Sequence, residues 1–140
     1  MVKSPKIISA LLCEDIRQEL SGKFSLAGVF GSGMNVPSIP ATFIVGLFAE
    51  VLFSETGEFE PEFRVVDAAD SPSITGKLKL AVLNLESAPI ILGPLPVTVS
   101  RAGDVKIQWR FAGSDWQTMK AFKVSQAPVA PANLSTMPPA

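Results

Sequence analysis

Three features of this 140-residue chain predict an all-β fold, a single-domain antiparallel β-sandwich of about eight strands. Apolar and polar residues alternate with a period of two through most of it, and no segment keeps an uninterrupted 3.6-residue apolar period. Gly and Pro cut it into short runs spaced roughly 10 to 15 residues apart, the rhythm of a sandwich rather than of alternating strands and helices. An immunoglobulin-like layout is one form such a sandwich takes. At 14.9 kDa the chain can bury about two thirds of its unfolded surface in one core without a disulfide or a metal.

Residues 6 to 13 form an apolar run, continued towards Leu20 by Ile16 between Asp15 and Arg17, with a helical turn over residues 14 to 20 as the alternative. Ser21-Gly22 ends it, and Lys23 to Phe30 reads as a second strand with Phe24 and Leu26 on one side. Gly31-Ser32-Gly33 breaks the chain, and Pro37 and Pro40 hold the next few residues extended. Thr42 to Phe53 is the most apolar strand. Phe43, Val45, Leu47, Ala49, Val51 and Phe53 share one face and Ile44, Phe48 and Leu52 the other, so both faces need cover and the strand is central or interfacial. Glu55-Thr56-Gly57 turns into a strand over Glu58 to Val66, with Phe59, Phe63 and Val65 inward and Glu58, Glu60, Glu62 and Arg64 outward. Pro61 inside that run predicts a sheet edge.

After a loop from Asp67 to Ser73, Lys77 to Leu85 alternates through Leu78, Leu80 and Val82. Leu83 and Leu85 on the other face predict a bulge near Val82. Pro89 to Ser100 sets Leu95, Val97 and Val99 in phase, and its Pro94 and Pro96 again predict an edge. The clearest strand alternates Val105, Ile107, Trp109 and Phe111 with Lys106, Gln108 and Arg110. Ala112 to Asp115 is then a hairpin loop into a last strand, Trp116 to Val124. The sandwich domain therefore spans residues 1 to 124. Residues 125 to 140, with four prolines and four alanines, have little to bury and read as a flexible tail or a strap on a partner.

Composition excludes more chemistry than it suggests. With no histidine, no tyrosine and one cysteine, the chain lacks the groups on which neutral-pH acid–base catalysis, Ser–His or Cys–His nucleophiles and most zinc sites depend. No Ser-x-x-Lys tetrad occurs, and Gly28 to Gly33 lacks the Lys-Ser/Thr ending and following helix of a phosphate loop. Cys13 lies in an apolar strand with no imidazole to deprotonate it, which makes it a packing residue, with redox sensing or interchain pairing as its functional alternative. Carboxylates are the chemistry left open. Glu58, Glu60 and Glu62 read as a solvated edge; Asp67 and Asp70, in a loop, could contribute two carboxylates to a calcium site, which takes six to eight oxygens. No cofactor and no metal is expected.

Net charge is −1, which argues against nucleic acid as a partner, but the charge is uneven. Residues 1 to 70 carry ten acids and five bases, and residues 71 to 140 three acids and seven bases. Lys77, Lys79, Lys106 and Arg110 occupy outward strand positions, so a basic face meeting the acidic strand Glu58 to Glu62 of another subunit is one way to self-associate. Apolar residues reach 47% against 18% charged, and that surplus points to a subunit interface, for which Phe43, Val45, Phe48 and Trp116 are the apolar candidates. Trp109 belongs to the core. The unpaired cysteine favours a reducing compartment, and the apolar run after Lys6 is too short, with Leu12 too bulky, for a cleaved lipoprotein signal. Val36 to Phe53 is interrupted by Pro37, Pro40, Gly46 and Glu50, so no membrane span is expected. The expected location is cytoplasmic.

Ala10-Leu11-Leu12-Cys13-Glu14-Asp15, a charged stretch, and then Gly22-Lys23-Phe24-Ser25-Leu26-Ala27-Gly28-Val29-Phe30 resemble the N-terminal signature of an uncharacterised family of small bacterial and phage-associated β-rich proteins. The likeness covers about twenty residues, and this chain has Glu14 where that pattern usually has aspartate. The resemblance implies one β-rich domain and no catalytic residues, with Cys13 inside the shared strand. The expected function is protein binding by a non-catalytic homo-oligomer. A binder of a small apolar ligand between the sheets, suggested by nine phenylalanines, is the first alternative, and a carboxylate-dependent hydrolase the second.

Overall fold

Period-two alternation resolves into two packed sheets and a short connecting ribbon. The computed structural model describes residues 4 to 127, in which eleven strands and no helix occur. They are β1 (Lys6–Gln18), β2 (Phe24–Phe30), β3 (Gly33–Val36), β4 (Ala41–Leu52), β5 (Gly57–Phe59), β6 (Glu62–Val66), β7 (Pro72–Lys77), β8 (Leu80–Val82), β9 (Ala88–Val99), β10 (Gly103–Arg110) and β11 (Gln117–Gln126). A four-stranded sheet runs β2-β1-β4-β9 and a five-stranded sheet β3-β11-β10-β6-β7, with β5 and β8 paired between them. The fold is an all-β sandwich.

Most of the added strands come from one long hairpin. β4 pairs with β9, β5 with β8 and β6 with β7, all antiparallel and in nearly continuous register from Ala41↔Val99 to Val66↔Pro72. One two-stranded ribbon therefore leaves the four-stranded sheet, crosses at β5 and β8, and enters the five-stranded sheet. Pro61 sits at the second corner, where it cannot donate to a ladder; its carbonyl accepts from the Leu78 N–H at 3.0 Å. Glu58 to Val66 is thus two strands, and β6 is internal, between β10 and β7, rather than at an edge. Lys77 to Leu85 divides likewise: Lys77 closes β7, and Leu83 and Leu85 lie exposed beyond the end of β8, which replaces the bulge expected near Val82.

Other boundaries match the sequence more closely. β1 stays extended through Gln18, so the helical alternative falls, and Glu19 to Gly22 forms the turn. Pro94 and Pro96 lie on β9, an edge strand as expected. Two features have no period-two signature. β3 occupies four residues after the Gly31 to Gly33 break and pairs parallel with β11, which continues through Ser125 and Gln126, two residues past the expected domain end. The rest of the Pro/Ala-rich segment, from residue 128, lies outside the described residues.

The core fills the space between the two sheets. β4 and β9 contribute Val45, Leu47, Ala49, Val51, Ile90, Leu92, Leu95, Val97 and Val99, and β10, β11 and β6 answer with Val105, Ile107, Trp109, Met119, Phe122, Val124 and Val65. Each fully buried Val, Leu or Ile contributes about 1.5–3 kcal/mol of transfer free energy. At one end Phe53, Phe59, Trp109 and Phe111 pack edge-on or stacked with centroids 5.0 to 6.4 Å apart. The buried Trp109 Nε1–H donates to Gln117 Oε1 at 2.8 Å, and Gln117 Nε2 donates to the Pro5 carbonyl at 2.8 Å, tying the chain's start to β11.

Candidate interaction surface

Asp15, Glu50, Glu62 and Asp67 each have a partner within the chain. Asp67 follows β6 at the tip of the long ribbon, only 4% exposed. Its Oδ2 accepts from the Ser100 N–H at 2.8 Å and hydroxyl at 2.6 Å, and its Oδ1 from the Ala69 and Ser71 N–H groups at 3.0 and 3.3 Å. Ser100 follows β9, so these bonds join the ribbon's tip to its base and close the two sheets on each other. Burial alone would raise the Asp67 pKa, but the Ser100 hydroxyl and N–H, with Ala69 and Ser71, outweigh it and hold the carboxyl below its ordinary value. A carboxylate committed to four donors closes a loop.

The acidic strand and basic face of the sequence lie on one surface of one chain. Arg110 on β10, Glu62 on β6 and Lys77 on β7 stand directly opposite one another across three neighbouring strands, and Arg110 Nη2 reaches Glu62 Oε2 at 3.2 Å. Glu58 and Glu60 lie at the exposed crossing and line a cavity of about 460 Å³ with Lys79, while Lys106 is exposed on β10. Of these groups, Glu62 already has a partner within its own chain. Trp116 is half-buried, with the guanidinium carbons of Arg64 and Arg110 4.1 and 4.4 Å from its ring centroid. Arg64 Nε also donates to Gln108 Oε1 at 2.9 Å, which makes the outer face of the five-stranded sheet polar and internally satisfied.

The opposite outer face is apolar only along its middle, and Glu50, Thr42, Thr98 and the Asp15–Arg17 ion pair flank that part. Between inward Val45, Leu47 and Ala49, β4 turns Ile44, Gly46 and Phe48 outward. Register places Leu11 beside Phe48, and Val29 beside Cys13, which itself faces Gly46. Part of this face is covered by its own chain: beyond Cys13 the β1–β2 hairpin no longer pairs with β4 and lies across it. Ile16 packs on Gly46, where an ideal Cβ would sit 3.0 Å from its Cδ1, and the Phe24 ring lies 5.6 Å from that of Phe48. Cys13 is consequently fully buried, its Sγ 3.6 Å from the Gly46 carbonyl, with its pKa raised by burial first and by the Asp15 charge second. Beyond that cover Leu11, Val29 and Ile44 remain 40%, 51% and 60% exposed.

Of the four apolar contact candidates, the fold withdraws two. Val45 is fully buried in the core, and Phe43 is half-buried on the inner face, 6.5 Å from Phe122. Phe48 and Trp116 keep partial exposure on opposite sides of the molecule. Leu11 and Val29 were not singled out by sequence reasoning; their signal is an apolar residue out of phase with its strand's buried set. The space between the sheets is occupied by side chains, and cavities of about 460 and 340 Å³ open instead at the β5–β8 crossing. Among the described residues no cluster of three or more Cys, Asp or Glu could hold a metal ion, and no helix is long and apolar enough to cross a membrane. The chain matches no family model, no curated protein and no solved structure.

Proposed function

We propose that this is a non-catalytic β-sandwich that acts by binding protein and associates with copies of itself. The observation that carries the reading is the exposed apolar surface of the four-stranded sheet, at Leu11, Val29 and Ile44, set against a polar, internally paired opposite face. Exposed apolar side chains on one outer face, where the other is polar and paired, support a contact site on that face. An immunoglobulin-like interaction module is the finer form of the reading, supported by two sheets of four and five strands joined by connections that cross between them. The resemblance of residues 10 to 30 adds a bacterial or phage setting, and the unpaired, buried Cys13 fits the cytoplasm. Neither nucleic acid nor membrane has a recognition surface in this reading.

Light scattering coupled to size exclusion, from low micromolar to several hundred micromolar protein, tests it. The expected result is a mass that rises to a multiple of 14.9 kDa with concentration and does not fall as salt is raised. A strictly monomeric mass throughout removes self-association.

A further inference from the structure

We infer that the outer face of the five-stranded sheet docks an acidic segment of a partner protein. This inference rests on the protein-binding reading above and adds a second surface to it. Outward strand positions of this face hold Arg64, Lys77, Lys106, Arg110 and Lys123, with Glu62 and Asp104 as their acids. These are five of the chain's twelve bases and two of its thirteen acids, so the face carries +3 and the remainder of the chain −4. Internal pairing does not neutralise it. The two ion pairs among the described residues take only Arg110 from these five, and Lys77, Lys106 and Lys123 are exposed.

The partner bears carboxylates because two arginines are held ready for them. Both guanidinium groups rest against the Trp116 ring, their central carbons 4.1 and 4.4 Å from its centroid. Arg64 uses only Nε on Gln108, at 2.9 Å, which leaves its Nη groups to donate to a carboxylate from a fixed fork. The cations also step along the sheet. Register sets Lys106, Arg64 and Arg110 in successive outward rows of β10 and β6, and such rows lie about 6.8 Å apart, the spacing of alternate side chains in an extended peptide. A single-stranded nucleic acid fits less well, because its bases need an open aromatic ring to stack on and Trp116 is taken by the two arginines.

The experiment titrates the protein into fluorescein-labelled deca-glutamate at low salt and follows anisotropy, with deca-glutamine and an oligothymidylate of the same length as comparison probes. Docking on this face predicts that deca-glutamate binds, deca-glutamine does not, and raised salt releases the complex. Replacing two exposed cations together, Lys77→Gln with Lys106→Gln, should weaken binding at least fivefold with an unchanged thermal midpoint. Lys79→Gln, at the β5–β8 crossing, should bind as wild type does, and Glu62→Gln more tightly. If deca-glutamate fails to bind, or binds the double variant as tightly as wild type, the inference is overturned; tighter binding of the oligothymidylate overturns it in favour of nucleic acid. Light scattering on the same samples separates the two readings, because a mass that still rises with concentration leaves self-association standing. A wild type that stays monomeric and binds no deca-glutamate overturns both.

Discussion

Asp67 is the residue on which closure of the ribbon depends, because one carboxylate satisfies four donors from two separate segments. Hydrogen bonds to a charged group contribute about 1.5–3 kcal/mol each but are not additive; Asp67→Ala should therefore cost about 3 kcal/mol in urea unfolding at pH 7, and Asp67→Asn distinctly less. Its pKa is lowered in the fold, so its contribution is complete above the unfolded value of about 3.9 and is lost as pH falls through the folded value. Wild type should thus lose stability on acidification below about pH 4 more steeply than Asp67→Asn, as paired denaturation curves will show. Nothing local announces this role, since Ser100 lies 33 residues away and only the fold brings it near. Cys13 is the opposite case: an apolar neighbourhood without imidazole is legible in sequence, and burial with a raised pKa agrees with it. Its thiol should react with Ellman's reagent only after unfolding, on a timescale set by the loss of structure.

Among the elements, the β4–β9 pair shows what two glycines do. Val45 pairs with Leu95 and Leu47 with Leu92, so Gly93 and Pro94 are accommodated opposite Gly46 and shift the inward phase of β9 from Ile90 and Leu92 to Leu95, Val97 and Val99. Gly93 has φ +136°, and an ideal Cβ there would lie 2.9 Å from the Gly46 Cα, a conflict of backbone with backbone. Gly22, with φ +86° in the β1–β2 turn, has open space around it. Gly93→Ala should therefore cost about 2–3 kcal/mol and Gly22→Ala nearer 1 kcal/mol, a ranking that chemical denaturation of the two variants checks directly. The alternation of Leu95, Val97 and Val99 was legible, and so were the edge prolines. Pro61 was not, because a proline stops a ladder equally well at an edge or at a corner where the ribbon changes sheets.

At the scale of the molecule, the core is the part most fully written in the sequence. Val105, Ile107, Trp109 and Phe111 alternate without a break and are buried as a set, and Trp109→Ala should cost about 3–5 kcal/mol, measured by thermal or chemical unfolding. Surface assignments were less legible for a physical reason. Alternation states which residues share a face but not which strands become neighbours. Glu62, Arg110 and Lys77 could be read as groups awaiting a partner chain, whereas the order β10-β6-β7 sets them side by side and pairs Glu62 with Arg110. Association driven by the apolar part of the four-stranded sheet should in consequence persist in high salt.

The sequence by itself determined that this chain is a β-sandwich, which residues fill its core and which catalytic groups it lacks, because strand periodicity and side-chain chemistry are properties of short windows. Tertiary structure alone decided that one ribbon folds back through Asp67 and Ser100, that Glu62 pairs with Arg110 of its own chain, and that the second face of β4 is covered in its middle by its own hairpin. Each of these depends on contacts between residues some fifteen to fifty apart, set by the packing of the whole chain.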